Sequence, residues 1–317
     1  NYTLSTFIYI NPNCIKKKKV VKINNSNKKI IIFGNGFSGS CLAENAIKFS
    51  SEIFVVSRTP NTNTKDISYL DFNNFEKVSK HLDDAIIIST APPESKYQDP
   101  ILLKYGNFFK SINSSFGYIS STSVYGEGVM HESSSTKPNS LRGKNRLLIE
   151  REWINNIKNV KIFRSGGIYG KNRHPMIKFL NGKLEVVTKP AHYANRIHVK
   201  DLSEIILLSL TKNIPSQLIN VTDQNDVSAL DAIEFVTKEL NLLKPKPVNY
   251  KDANISEMAK SFFETSRIIR SNVIKKEIAY NYLYPDYKLA LLELTKELLD
   301  QRKEAKYWIV LLKIYKK

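Results

Sequence analysis

Three features of this 317-residue chain point to a doubly wound α/β fold, a parallel sheet covered by helices on both faces. The segments that read as strands are almost wholly apolar, without the alternation of a sheet that keeps one face wet. Strand-like and helix-like segments alternate up to about Gly170, the pattern of repeated β–α units. The first unit carries Gly34-Asn35-Gly36-Phe37-Ser38-Gly39 between its strand and its helix.

Residues 29–33, Lys-Ile-Ile-Ile-Phe, form the first expected strand, and residues 38–49 the first helix. Residues 52–56 read as a second strand, apolar after Glu52, and residues 67–70 as a third. A helix over 74–82 leads to a strand over 85–89, which Pro92-Pro93 follows. Next come a helix over 101–112, a strand over 116–120, a long helix over 141–157 and a strand over 160–164. The long helix sets Leu147, Ile154 and Ile157 on one face, with Glu150 and Arg151 between them. Beyond Gly170 the rhythm loosens, and His174-Pro175 opens a loop-rich stretch. Helices are expected over 200–210, 229–240 and 287–299, a strand over 218–221, and a proline-broken connector from Leu243 to Val248.

The glycine pattern supplies a mechanism. A tight turn after a buried strand, opening a helix, points free backbone N–H groups and the positive end of the helix dipole at one spot, where a dinucleotide pyrophosphate can sit. Gly34 permits the turn, Gly36 removes a Cβ where phosphates approach, and Gly39 lets the helix pack on the strand. Phe37 and Ser38 complete the cradle. The fold is thus expected to be of Rossmann type, with a smaller C-terminal substrate lobe. Residues 28–170 would form the dinucleotide-binding domain, and 171–299 the substrate lobe, interleaved with elements of the first. Residues 1–27 are read as a disordered leader and 300–317 as a basic tail.

The net charge of +18 resembles a nucleic-acid signal, but eleven of those charges lie in residues 1–30 and 300–317. The remainder is spread along the body, so a solvated basic surface is favoured over a nucleic-acid groove. The longest apolar runs, such as Ile205 to Leu208 and Trp308 to Leu312, fall far short of the roughly 18 residues of a membrane span. Cys14 and Cys41 have no metal or disulfide spacing, which points to a reducing, cytoplasmic setting and no structural metal. Lys16 to Lys19 follow the apolar stretch of the leader, the wrong order for a secretory signal; organelle import through residues 1–27 is the alternative.

Four further motifs follow in order: Tyr118-Ile-Ser-Ser-Thr-Ser-Val-Tyr-Gly126, Arg164-Ser-Gly-Gly-Ile-Tyr-Gly170, His198-Val-Lys-Asp-Leu202 and Ile219-Asn-Val-Thr222. With the glycine turn they resemble the extended short-chain dehydrogenase/reductase family, the NAD-dependent epimerase/dehydratase group, from about Lys29 to about Leu299. Ser120 to Gly126 and Gly170-Lys-Asn-Arg-His-Pro175 are most similar to its atypical YeeZ-like branch. The resemblance implies a dinucleotide on the glycine turn, carbonyl or alcohol chemistry, and a homodimer through the helices over 101–112 and 141–157. The family serine matches Ser121, whose hydroxyl would hydrogen-bond a substrate oxygen; the alternative is that Ser120 and Ser121 satisfy backbone at the strand end.

The chain departs from the family at its proton donor. The family's Pro-x-x-x-Tyr-Gly-x-x-Lys matches Pro138-Asn-Ser-Leu-Arg142-Gly143-Lys144-Asn145-Arg146, which puts Arg142 at the tyrosine position and Arg146 at the lysine position. An arginine cannot shuttle a proton near neutral pH. Four residues apart on a helix, the two share a face, and two guanidinium forks suit a carboxylate or phosphate, so an anionic substrate is one reading. The other pairs Arg146 with Glu150 and leaves Arg142 facing water. Tyr125 belongs to the Val-Tyr-Gly turn and is not the family tyrosine by position.

Cofactor choice rests on Val55-Val56-Ser57-Arg58-Thr59, where an NAD enzyme would place Asp or Glu. Ser57 and Arg58 suit the 2′-phosphate of NADP, with NAD the alternative. In relatives the positions of Asp71-Phe72 edge the adenine and those of Thr90-Ala91 line the adenosine side. Arg173, His174, Asn195, Arg196 and His198 fall near the loops of the substrate side. His198 reads as a packed residue with Asp201 helping to cap a helix, and His174 as the better acid/base candidate, an apolar Tyr-rich pocket being the alternative. Three functions follow: an NADP-dependent oxidoreductase or epimerase with altered catalysis on a small or nucleotide-sugar-like substrate, a non-catalytic NADP-binding sensor or scaffold, and, weakest, nucleic-acid binding through the termini.

Overall fold

The computed structural model describes residues 28–315 apart from 95, 96, 191, 257–259, 261, 262 and 264, with only the backbone of the last helix beyond 302. The leader expected over residues 1–27 therefore lies outside the described residues.

The first half of the chain runs β1 (Lys29–Phe33), α1 (Phe37–Ala46), β2 (Ile53–Ser57), β3 (Ile67–Asp71), α2 (Phe75–Ser79), β4 (Ala85–Ser89), α3 (Pro100–Phe109), β5 (Ser115–Ser121), β6 (Gly128–Met130), α4 (Leu141–Asn156) and β7 (Val160–Ser165). The second half adds β8 (Gly167–Tyr169), α5 (Pro175–Phe179), β9 (Val186–Thr188), β10 (Arg196–His198), α6 (Val199–Thr211), β11 (Leu218–Val221), α7 (Ala229–Glu239), β12 (Pro247–Asn249), β13 (Arg267–Ile269) and α8 (Tyr287–Tyr315).

Seven strands form one parallel sheet in the order β11-β7-β5-β4-β1-β2-β3. This is the doubly wound arrangement expected from the sequence. The unbroken apolar strands are explained by their alternation between two layers. Ile30 and Ile32 of β1 pack with α1 and α6, whereas Ile31 and Phe33 pack with α3 and α4 around Tyr105, Phe109 and Trp153. A strand with both faces covered needs apolar residues at every position. Since the sheet is parallel, all its C-terminal ends lie along one edge, where ligand clefts of such folds open.

Local chemistry sets the helix starts. Asp99 accepts from Ile101 N and Leu102 N (2.9 and 3.0 Å) ahead of Pro100, and its second oxygen accepts from Trp153 Nε1 (3.1 Å), joining α3 to α4. Ser140 caps α4 by accepting from Gly143 N at 3.1 Å. For α6 the expected cap is corrected: His198 Nδ1 accepts from Lys200 N (3.2 Å), so His198 is the cap. Asp201, fully buried, instead accepts from Tyr280 Oη (2.6 Å), Leu283 N (2.7 Å) and Tyr284 N (3.1 Å). One carboxylate thereby fastens residues 280–284 to the central sheet's helix layer.

Three parallel strand pairs, β6 with β13, β8 with β10 and β9 with β12, were not anticipated, because three-residue strands carry no readable periodicity. They stitch distant segments over the C-terminal edge of the sheet. A separate apolar cluster from α5, β9, α7 and α8 supports them, with Met176, Ile233, Val236 and Leu291 at its centre. The closing helix also differs from expectation: α8 runs to Tyr315, through the stretch read as a basic tail, since residues 300–312 hold good helix formers and neither Gly nor Pro. No helix among the described residues is long and apolar enough to cross a membrane.

Replacing Asp201 by Ala leaves three donors without their acceptor, two of them backbone N–H groups. Stability should fall by roughly 2–4 kcal/mol, read as a lower urea midpoint.

Candidate functional site

The site opens where β1 ends. Gly34 holds φ +113°, and a Cβ there would lie 2.4 Å from Thr90 Oγ1. A Cβ on Gly39 would lie 1.9 Å from the Gly34 carbonyl oxygen, so only glycine lets α1 approach its own turn. Gly36 differs: nothing lies within 4 Å of its Cβ position, which faces open space. It also begins α1, where no side chain caps the helix and no acid stands in the first turn. The helix start is thus left electropositive beside Phe37 and Ser38. Thr90 donates to the Phe33 carbonyl (3.1 Å) and closes the turn from β4.

These residues line one cleft of about 2180 Å³, against roughly 300–1,000 Å³ for an ordinary small-molecule pocket. Toward β2 it is lined by Ser57, Arg58, Phe72, Thr90 and Ala91. Ser57 Oγ is buried and has no hydrogen-bond partner among the described residues. Arg58 is largely exposed and lies 3.7 Å from Glu94. Asp71 does not line the cleft: its carboxylate accepts from Asn73 N at 2.8 Å, closing a local turn, and Phe72 faces the cleft instead.

Toward β5 the strand ends on Ser120 and Ser121, which differ in role. Ser120 is buried and donates to Glu150 (2.5 Å). Ser121 lines the cleft; its oxygen accepts from Ser123 N (3.2 Å), and its hydroxyl donates to no described group. Behind them lies a buried network. Arg164 donates to both oxygens of Glu150 (2.8–3.2 Å) and to Tyr125 Oη (2.8 Å), and Tyr125 donates to Asn220 Oδ1 (2.8 Å). The pairing of Arg146 with Glu150, one of the readings taken from sequence, is therefore replaced. Arg164 occupies Glu150, and Arg146 donates to Tyr118 Oη (2.8 Å) and the Ile119 carbonyl (3.2 Å). Arg142 and Arg146 both line the cleft. Burial, then the charges of Arg146 and Arg173, lower the Arg142 pKa from its usual value.

The C-terminal lobe supplies the opposite wall. Arg173 reaches over the Phe37 ring (5.1 Å), linking the β8–α5 loop to the glycine turn. His174 lines the cleft with a buried Nδ1 that has no partner among the described residues, and burial lowers its pKa to about 4, so it is a neutral imidazole near pH 7. His198 is packed away against Tyr284 (3.6 Å), its pKa lowered by burial to about 3. Asn195 cross-links the wall, donating to the Arg267 carbonyl (3.0 Å) and accepting from Ile269 N (2.9 Å). Arg196 donates to the Val227 carbonyl (2.8 Å) and lies over Tyr287.

One group escaped the sequence reading. Asp223, just past β11, is buried, its Oδ2 has no partner among the described residues, and burial raises its pKa to about 7. Tyr169, whose own hydroxyl is buried and unpartnered, is close enough to feel its charge. The available signal was its position, an acid at the C-terminal end of a parallel strand. Among the described residues, eight arginines and lysines line the whole cleft against two acids, Glu94 and Asp231.

No protein-family model matches the chain, and no curated protein matches it in sequence. Solved structures do match. A conserved protein of unknown function from Silicibacter pomeroyi superposes with a TM-score of 0.76 at 26% identity, over 85% of this chain and 99% of that one. A human epimerase family protein solved with NADPH gives 0.67 at 14% identity, over 84% and 99%. The dTDP-glucose 4,6-dehydratase of Bacillus anthracis, solved with NAD, gives 0.69 at 18% identity, over 85% and 96%. These likenesses establish the Rossmann fold, shared with epimerase/dehydratase proteins that bind nicotinamide dinucleotides.

Two outcomes follow from this geometry. Glu150→Ala strands the Arg164 guanidinium in the interior and should cost about 3–5 kcal/mol in chemical denaturation, much of it recovered when Glu150 and Arg164 are both replaced by Met. Asp223 has its folded-state pKa raised above the unfolded value, so it lowers stability as pH rises toward and through about 7. Asp223→Asn should then raise the melting temperature by several degrees at pH 8 and hardly at pH 4. The low pKa values of His174 and His198 act oppositely, removing stability as pH falls below about 6.5 in both proteins, and cancel in the difference.

Proposed function

We propose that this protein binds NADP(H) on the glycine turn and acts, as an atypical short-chain dehydrogenase/reductase of the YeeZ-like branch, on a small anionic or nucleotide-sugar-like substrate. The observation that carries the reading is the cradle itself: Gly34 and Gly39 admit no side chain, Gly36 faces open space, and α1 starts uncapped beside it. Ser57, with its unpartnered buried oxygen, and Arg58 would hold a ribose 2′-phosphate. Thr90, Ala91 and Phe72 would line the adenosine side. In this division residues 28–170 carry the cofactor and 171–299 the substrate. A homodimer through α3 and α4 accords with the exposure of Leu103 and Leu148 on them.

The dinucleotide would supply hydride chemistry. The chain's own contribution is orientation and charge. Ser121, its oxygen already accepting from Ser123 N, keeps its proton for a substrate oxygen. Arg142 and Arg146 cannot donate a proton near neutral pH, so they act by charge. His174, neutral above pH of about 4, can accept a hydrogen bond at the opposite wall.

A second reading, a non-catalytic NADP-binding sensor or scaffold, is favoured by one observation: the family's tyrosine and lysine positions hold Arg142 and Arg146, and Arg146 is tied to Tyr118 and backbone. Nucleotide titration of the purified protein, followed by fluorescence, comes first. NADPH should bind, Gly36→Glu should abolish binding, and Arg58→Ala should weaken NADPH about tenfold with NADH unchanged. Absence of binding for both nucleotides overturns both readings. NADPH turnover with a carbonyl set, lost in Ser121→Ala, selects the enzyme; tight binding without turnover selects the sensor.

A further inference from the structure

Arg142, Arg146 and Arg173 all line the cleft. Arg142 and Arg146 stand one turn apart on α4, an i,i+4 like-charge pair that weakens a helix by itself. Arg173 comes from the other wall and is held over Phe37 at 5.1 Å. The charges of Arg146 and Arg173 both reach Arg142. The carboxylate nearest in sequence to Arg146, Glu150, is taken by Arg164, and the two acids that line the cleft, Glu94 and Asp231, are outnumbered four to one by bases. Beside the three lies His174, nine-tenths buried, with Nδ1 unpartnered. A cluster of this sign attracts an anion that bridges the walls. The cleft, at about 2180 Å³, exceeds what one small molecule fills, which leaves room for a second ligand beside a dinucleotide.

We infer that this second ligand is a dianion, a phosphate monoester or a dicarboxylate, whose charged group is gripped between Arg142 of α4 and Arg173 of the β8–α5 loop, with Ser121 and His174 as neutral hydrogen-bonding groups. The inference rests on the dinucleotide reading for the place of the ligand: Arg142 stands on α4, away from the glycine turn, while Arg173 reaches Phe37 beside it. It specifies what the unusual residue at the tyrosine position does: Arg142 holds the acid group of the ligand where the family places a proton donor, and Arg146, tied to Tyr118 and backbone, adds charge behind it. Bidentate guanidinium geometry favours planar or tetrahedral oxyanions, and two walls of opposite origin favour a double charge over a single one.

The test is calorimetric titration of the full chain with inorganic phosphate, malonate and acetate, with and without saturating NADPH. Wild type is compared with Arg142→Gln, Arg173→Gln and the charge-keeping Arg142→Lys, each checked for an unchanged melting curve. A dianion should bind at least about tenfold tighter than acetate, persist under NADPH, and weaken roughly tenfold in each Gln variant and less in Arg142→Lys, with NADPH affinity within about twofold in Arg142→Gln. Phosphate above malonate assigns a phosphate monoester, and the reverse a dicarboxylate. Dianion binding that NADPH displaces and the Gln variants retain overturns the inference, because the anion then sits on the dinucleotide site. Normal NADPH affinity without any dianion binding overturns it too, leaving the dinucleotide reading intact. Dianion binding lost in the Gln variants of a protein that takes no NADPH upholds it and sinks the other reading instead.

Discussion

The buried pair of Glu150 and Arg164 is the constraint on which the geometry of the cleft depends. Both side chains are nearly inaccessible, 1% and 5% exposed, and desolvating two charges is costly unless every polar atom is used. Here they are used well. Glu150 accepts from Arg164 through both oxygens and from Ser120, while Arg164 also donates to Tyr125. The pair therefore joins α4, β5, β7 and the turn after β5 at one point. It sets the height of α4 over the strand ends, and with it the place of Arg142 and Arg146 relative to Ser121. A hydrophobic pair could have filled the volume but would not have specified this register.

Two other constraints act on the same edge of the sheet. Gly39 brings α1 within reach of its own turn, and Gly143 does the like for α4, since a Cβ there would lie 2.3 Å from the Ser123 carbonyl oxygen. The helices that flank the cleft are thus seated by backbone contact, which leaves little slack. The C-terminal lobe is tied in by polar bonds instead: Asp201 holds residues 280–284, Asn195 bridges to Arg267 and Ile269, and Arg267 donates to the Thr122 carbonyl at 2.9 Å.

The electrostatics of the cleft follow from this construction. The uncapped start of α1, the arginines of α4 and Arg173 all add positive potential to a partly enclosed space, where it is screened less than on the surface. The overall charge of +18, most of it near the chain ends, says little about function; the imbalance inside the cleft says more. Burial works against the titratable groups there: it keeps His174 neutral and lowers Arg142.

What the sequence determined by itself was local. Runs such as Ile30-Ile31-Ile32-Phe33 demand a strand covered on both faces, and a Gly-x-Gly-x-x-Gly turn after such a strand demands a helix start open to a ligand, because both are consequences of neighbouring residues. The alternation of strands and helices implied a parallel sheet covered on both faces, but not its strand order. Tertiary structure alone decided who meets whom. That Glu150 takes Arg164 rather than Arg146, that Asp201 holds a segment some eighty residues away rather than its own helix end, that Asp71 turns from the cleft, and that the charge of Arg173 reaches Arg142 are outcomes of the folded molecule. Spacing along the chain cannot report them, since charged and hydrogen-bonding groups choose partners by distance in the folded molecule and by the cost of leaving either one dry and alone.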